Sequence, residues 1–265
     1  MRVVVARPMQ PPARVVRHIE AGSFVSPLEV RQASPPRRNA PWVLVSWMNH
    51  MARIDHHLHT NRYSPDSIID PRELLCRAQE AGLDGVVITE HDCLWPEHEL
   101  EELAEAGRAL GVTVMNGVEI SAREGDVLVY GLKSLKDVGR SVDLRRLLDV
   151  ASEQGAAVVA AHPFRFGQDF WKILQHFGPV FDALELASNN ITPDLRGRIQ
   201  QVLNGSPMGA TASSDAHSPE VVGCYYSEFS RAITKLDDFI DALKKREARP
   251  RHNPGRRNMS GPFGK

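Results

Sequence analysis

Seven short apolar runs mark the middle of the chain, at residues 53–58, 85–89, 113–117, 127–132, 156–161, 183–187 and 208–213. Each is too short for a helix, and as a set they are of the kind expected for strands buried on both faces. Between them, residues 71–81, 96–110, 142–154, 193–203 and 236–245 carry apolar side chains at helical spacing. Asp70 before Pro71 supplies an N-cap followed by proline at the first helical position, and Gly82 and Gly155 close the first and third helices. Alternating β and α segments with short links predict an α/β fold on a parallel sheet. Seven such strands favour closure into a barrel over an open sheet.

The ends of the chain lack this pattern. Residues 1–50 hold prolines at 8, 11, 12, 27, 35, 36 and 41 and show no sustained period. They are expected to be a disordered or non-native extension, with the functional protein starting near Met48 or Met51. The apolar run Val3-Val4-Val5-Ala6 is cut by Arg7, too short for a signal peptide. A transit peptide or a nucleic-acid-binding arm is also compatible with this arginine-rich start. Residues 51–248 are the expected folded domain, and the Pro-, Gly- and Arg-rich residues 249–265 a flexible tail.

Composition narrows the function classes. An apolar content of 42% suits a globular protein, and no run reaches the roughly 18 apolar residues of a membrane span. Seven Arg and two Glu make residues 1–50 basic, so the remainder of a chain whose formal charge is −1 is acidic. An acidic domain argues against a long nucleic-acid track, which needs a basic stripe with stacking aromatics. Cys76, Cys93 and Cys224 form no CxxC and no even set, which fits a reducing cytoplasm rather than a disulfide framework.

Five ligand-type clusters sit at or just past the predicted strand ends: His57-Leu58-His59, Glu90-His91-Asp92, Glu119, His162-Pro163 and Asp215-Ala216-His217. In a barrel the C-terminal strand ends converge on one mouth. His57 and His59 are two apart, so an extended backbone points both imidazoles to one side, and Asp215 and His217 repeat that spacing. A single such His or acid is most often a hydrogen-bonded structural residue. Five clusters in one register are hard to reconcile with that account. Imidazole and carboxylate without thiolate suit Zn, Mn or Fe. His98 and His176 lie in helical patterns, and His18, His50 and His252 in or beside the tails; none is assigned a role.

The segments Asp55-His56-His57-Leu58-His59-Thr60, Ile88-Thr89-Glu90-His91-Asp92, Gly117-Val118-Glu119-Ile120, Ala161-His162-Pro163 and Ser214-Asp215-Ala216-His217 together resemble the ordered signature of the PHP (polymerase and histidinol phosphatase) family, over about residues 53–247. The resemblance implies a distorted seven-stranded β/α, TIM-like barrel that binds two or three divalent metals, usually Zn, Mn or Fe, and hydrolyses phosphoesters. It makes His57, His59, His91, Glu119, His162, Asp215 and His217 ligands, with Glu119 bridging two ions. Two departures stand out. Asp126 occupies the place of a histidine found in many members, and Glu90 that of the commoner aspartate. Both are additional ligand candidates.

Such a site is expected to act on a small phosphomonoester or nucleotide through a metal-bridging hydroxide. Arg165, three residues after His162, is placed to fork onto phosphate oxygens, and Arg62 is a weaker candidate. A plain surface arginine is the competing account for each. Asp92 or His217 is the expected proton relay to the leaving group. Phe164, Phe166, Phe170 and Trp171 offer either a wall for a base or the packing of a loop-helix corner. Two rivals stay open: a 5'-end exonuclease on short oligonucleotides, and a catalytically silent metal-bound scaffold. A C–N hydrolase of the amidohydrolase type lacks its bridging lysine, a niche that Glu119 fills.

Overall fold

The computed structural model describes residues 51–256. The extension expected over residues 1–50, and residues 257–265 of the expected tail, lie outside the described residues. In chain order the elements are β1 (Ala52–Asp55), α1 (Pro71–Glu80), β2 (Gly85–Ile88), α2 (Glu97–Ala109), β3 (Thr113–Asn116), β4 (Val118–Ser121), β5 (Asp126–Tyr130), α3 (Leu144–Glu153), β6 (Ala157–Ala160), α4 (Phe170–Phe177), β7 (Ala183–Ala187), α5 (Pro193–Leu203), β8 (Gly209–Ala212), β9 (Tyr225–Phe229), α6 (Leu236–Lys244) and β10 (Arg249–His252). The capping chemistry acts as its residue types dictate. Asp70 accepts from the Arg72 and Glu73 amides, Asp143 from Arg145, and Thr192 from Leu195.

The expected parallel seven-stranded barrel takes the form of two mixed five-stranded sheets, ordered β10-β9-β1-β2-β3 and β4-β5-β6-β7-β8. Parallel pairing holds for β1 with β2, β2 with β3, β6 with β7 and β7 with β8. β5 runs antiparallel to both β4 and β6, and β9 antiparallel to β1 and β10. Only residues 122–125 join β4 to β5, too few for a crossover, so the chain turns back as a hairpin. Gly125 sits in that turn at φ 148°, where an added Cβ would fall 1.6 Å from the Gln168 side chain.

Residues 249–252, expected to begin a flexible tail, instead form β10 against β9. Its sequence, Arg-Pro-Arg-His, carries no apolar signal, and Pro250 is tolerated because the strand lies at a sheet edge. The two sheets also meet through the main chain at two seams. At one, Asp215 N donates to His57 O (2.8 Å) and His59 N to Ala216 O (3.0 Å). At the other, Glu119 N donates to Glu90 O (3.1 Å) and Asp92 N to Glu119 O (2.8 Å).

Ile54, Val87, Leu128, Tyr130, Val159, Phe229 and Phe239 fill the core between the sheets, each fully buried. Burying one such side chain contributes about 1.5–3 kcal/mol. His56 joins this core, its Nδ1 2.7 Å from Tyr130 Oη and its Nε2 3.2 Å from Ser227 Oγ. Burial pushes its pKa down to about 4, so it stays neutral. No helix among the described residues is long and apolar enough to cross a membrane. All three cysteines are unpaired, and Cys224 is buried.

Candidate metal centre

Beyond Asp55 the chain runs on to a bridge of Leu58 with Ala216. His57 and His59, two residues apart, both face the ligand cluster, while His56 packs on Tyr130 and Phe239, and Leu58 in a separate core cluster with Ile69 and Leu74. The ends of β2, β4, β6 and β8 bring the remaining ligand-type residues to the same point. Glu119 is their centre. Its Oε2 lies 3.3 Å from His57 Nε2, 3.3 Å from His59 Nε2 and 3.0 Å from His91 Nδ1, while its Oε1 lies 3.0 Å from His162 Nε2. Asp215 Oδ1 is 3.4 Å from His57 Nε2 and 3.7 Å from His217 Nδ1. Three triads each hold their ligand atoms within 4.8 Å of one another: His59, His91 and His217; His57, His59 and Asp215; and His57, Glu119 and His162.

Three atoms at the middle of this cluster are buried without a hydrogen-bond partner: His57 Nε2, His59 Nε2 and Glu119 Oε2. Leaving a buried polar atom unsatisfied costs about 1–3 kcal/mol, so three aimed at a common point fit a bound cation and little else. The backbone is strained there as well. Asp92, His162 and Asp215 have φ of 49°, 27° and 52°, and Phe164 and Phe166 just beyond have 70° and 54°. Such left-handed conformations in non-glycine residues persist where the surrounding structure enforces them, characteristically at functional sites.

A supporting layer orients these groups. Glu185, fully buried in β7, accepts from the His162 amide (2.9 Å) and from Ser213 Oγ, and its Oε1 is 3.1 Å from His57 Nδ1. A carboxylate on the far nitrogen fixes the tautomer that leaves Nε2 free for a metal. Burial would raise the Glu185 pKa, but His57 holds it down. Asp55 accepts from the Ser214 and Gly223 amides at 2.8 and 2.9 Å, tying β1 to the loop that carries Asp215. Asn190 Nδ2 donates to Asp215 Oδ2 at 2.6 Å.

Burial opposes charge here, yet for His57, His91, Glu119, His162 and Asp215 the opposite charges outweigh it, while for His217 burial and the neighbouring His59 prevail and hold the imidazole down. Glu119 is held well below the carboxylate range, chiefly by His57 and His162. His57 is raised well above the imidazole range by Asp215, Glu119 and Glu185. For His91, burial is overcome by the close approach and charge of Glu119, and the pKa rises to about 9. The metal-free fold therefore keeps the His91 proton above pH 6.5, and the stability it adds is full below that pH and lost as pH rises through about 9. Ligation needs the neutral ring, so metal uptake at pH 8 is expected to release at least one proton per chain. Calorimetry of Zn or Mn binding in two buffers of different ionisation enthalpy measures this, and identical heats would contradict it.

A cavity of about 550 Å³ opens over the cluster, lined among others by Asp92, Glu119, Asp126, His162, Arg165 and His217. Asp126 faces it, and burial followed by the Glu119 charge raises its pKa. Arg165 Nη1 reaches Asp215 Oδ2 at 3.4 Å. Asp92 Oδ1 accepts from the Ser121 amide at 3.0 Å, and Arg140 Nε lies 3.8 Å from Oδ2.

Two expected residues are brought neither to this cavity nor to the ligand cluster beneath it. Glu90 accepts from the Thr60 amide (3.1 Å) and hydroxyl, Ser64 Oγ (2.5 Å) and the Trp95 indole (2.9 Å), so its lone pairs are committed away from the cluster. Arg62 forks onto Glu99 of α2 at 2.8 and 3.0 Å. Conversely, sequence reasoning missed Glu185 and Asp66. Asp66 Oδ2 lies 3.1 Å from His91 Nε2 and 3.4 Å from His217 Nε2, within reach of the same triad. Glu185 had a signal, a lone acid inside the apolar run 183–187; Asp66, in an aperiodic loop, had none.

Residues 197–248 match a family model described as PHP-associated. The chain is 30% identical over 122 residues to an uncharacterised protein of Methanocaldococcus jannaschii, covering 42% of this chain and 68% of that one. It is 31% identical over 126 residues to a 3',5'-nucleoside bisphosphate phosphatase of Chromobacterium violaceum, covering 42% of this chain but only 40% of that protein. Among solved structures, an amidohydrolase from Chromobacterium violaceum with bound SO4 superposes with a TM-score of 0.54 over 76% of this chain and 98% of its own, at 17% identity. That likeness shows the fold alone.

Proposed function

We propose, from the premise that this chain belongs to the PHP family of metal-dependent phosphoesterases, that it hydrolyses small phosphomonoesters, nucleotides among them. The observation that carries this reading is the convergence of three unpartnered buried atoms, His57 Nε2, His59 Nε2 and Glu119 Oε2, beneath an open cavity. His57, His59, His91, Glu119, His162, Asp215 and His217 would hold two or three divalent ions, and the all-N/O donor set suits Zn, Mn or Fe. When bound, such ions supply Lewis acidity and a hydroxide nucleophile at neutral pH. Asp126 and Asp66 are the further oxygen donors within reach.

The main-chain bonds across both seams support reading the two sheets as one distorted seven-stranded ring, with β3 and β4 as a single strand bent at Gly117 and β9 and β10 added outside it. The domain on this reading extends from about residue 51 through β10, with residues 1–50 an extension that catalysis does not require.

Within the cavity the chain's own groups divide the work. Among the described residues Arg165 is the one arginine set against both Asp215 and the opening, where its planar fork suits phosphate oxygens. His217 is drawn into the triad with His59 and His91, so of the two expected proton relays Asp92, in the cavity lining, is the one left free of the ligand set. Asp66 and Asp126 make the opening acidic, which disfavours a long polyanion over a small ester. The name of the Chromobacterium relative supports nucleotides as a substrate class. Release of inorganic phosphate from a panel of sugar, amino-alcohol and nucleoside phosphates, after loading with Zn, Mn or Fe, tests the reading. No release from any of them would reject it. Arg165→Ala is expected to raise KM about tenfold with a smaller change in kcat, as for loss of a charged hydrogen bond. An unchanged KM would remove Arg165 from the phosphate site.

A further inference from the structure

The loop after His162 treats its two phenylalanines in opposite ways. Phe164 is 3% exposed, packed edge-on to Phe170 and covered by the Arg198 guanidinium at 4.1 Å. Phe166, two residues on, is 81% exposed. Its backbone is left-handed at φ 54°, a conformation that is a real outlier for a bulky side chain. Folding gains nothing from a large ring held in water on a strained backbone. A single exposed ring is ordinary, but one held on a strained backbone at the mouth of the cavity points to a ligand.

Its surroundings say which ligand. Phe166 lines the cavity over the cluster and also a second hollow of about 310 Å³ beside it, whose walls include Arg123, Gln168 and Asp169. The Arg165 guanidinium lies 4.3 Å from the ring centroid while its Nη1 points at Asp215. One arginine thereby fixes the ring relative to the phosphate position. The Phe166 and His162 rings are 6.4 Å apart, so the platform stands beside the cluster rather than over it. An ester bound by its phosphate at the cluster would carry its leaving group past this ring, and the polar walls of the second hollow suit the edges of a base and sugar.

We infer that Phe166 is an aromatic platform on which the base of a nucleoside leaving group stacks, so that the site prefers nucleotides to phosphoesters without a ring. The inference rests on the phosphoesterase reading and deepens it. Phe166 acts on specificity, not on the bond being broken.

The test uses the full chain loaded with metal, and the variants Phe166→Gly and Phe166→Trp. Glycine suits the left-handed backbone, so it removes the ring without a folding penalty. With AMP, Phe166→Gly should lower kcat/KM about tenfold or more, the scale of one lost base-aromatic stack. With glycerol 3-phosphate the change should stay within about twofold, and Phe166→Trp should retain the AMP rate. Calorimetric binding of adenosine should weaken in Phe166→Gly by the same factor as the AMP rate, while binding of inorganic phosphate stays constant. Equal losses on both substrates, or no loss on AMP, would overturn the inference. If wild type hydrolysed neither ester yet bound adenosine in a Phe166-dependent way, the platform would stand and the phosphoesterase reading would fall.

Discussion

Glu119→Gln is expected to lower kcat for phosphate release at least about 1,000-fold and to cut the bound metal by at least one ion per chain. The variant keeps the side chain's volume but replaces one carboxylate oxygen with an amide NH₂ and removes the charge. Glu119 is the group shared by His57, His59, His91 and His162, all within 3.3 Å of one of its oxygens. Among the described residues the other acid at this point, Asp215, already lies against the same Nε2 atoms, 3.4 Å from that of His57 and 3.6 Å from that of His59. Elemental analysis and phosphate release on the same preparation check both parts. A variant with full metal and activity within about tenfold of wild type would show that Glu119 is a bystander.

The second large effect falls on a residue outside the ring of donors. Glu185→Ala leaves His57 Nδ1, the His162 amide and Ser213 Oγ without their acceptor in a fully buried position. Breaking a buried charged network of this kind costs about 3–5 kcal/mol, and losing the orienting partner of a ligand histidine lowers metal affinity about 10–100-fold. Urea unfolding in the presence of a chelator reads the first quantity, and metal titration the second. Glu185→Gln, which keeps volume and one acceptor, should lose less of each. An unfolding midpoint for Glu185→Ala equal to that of wild type would exclude the supporting role.

Much of the site was legible because alternation along a strand is a strong constraint. His57 and His59 had to share a face, and Asp215 and His217 had to repeat it. The same rule, applied at 90–92, would have separated Glu90 from His91, since consecutive extended residues face opposite ways. Glu90 turns to Thr60, Ser64 and Trp95, a hydrogen-bonded nest assembled from two loops that no local pattern announces. Arg62 was lost to Glu99, a partner 37 residues away on a helix face.

In the fold, buried strands such as 85–88 and 157–160 were read directly from their apolar runs. Those set by other means were missed. β9 alternates buried and half-buried positions, and β4 follows β3 across a single glycine, so both merge with their surroundings in a search for apolar runs. β10 is held by its ladder to β9 and by a paired Arg251–Glu228, with no hydrophobic signature of its own. The antiparallel turn of β5 was implicit in a four-residue link, which the repeated βα pattern elsewhere obscured.

The central claim is that His57, His59, Glu119, His162 and Asp215 enclose cations. Anomalous diffraction at the zinc edge, from crystals of protein loaded with Zn, tests it most directly. The account predicts at least two peaks, with ligand atoms of these residues at about 2.0–2.2 Å. A map with no peak within reach of Glu119, from protein whose chain is otherwise folded as described, would contradict it.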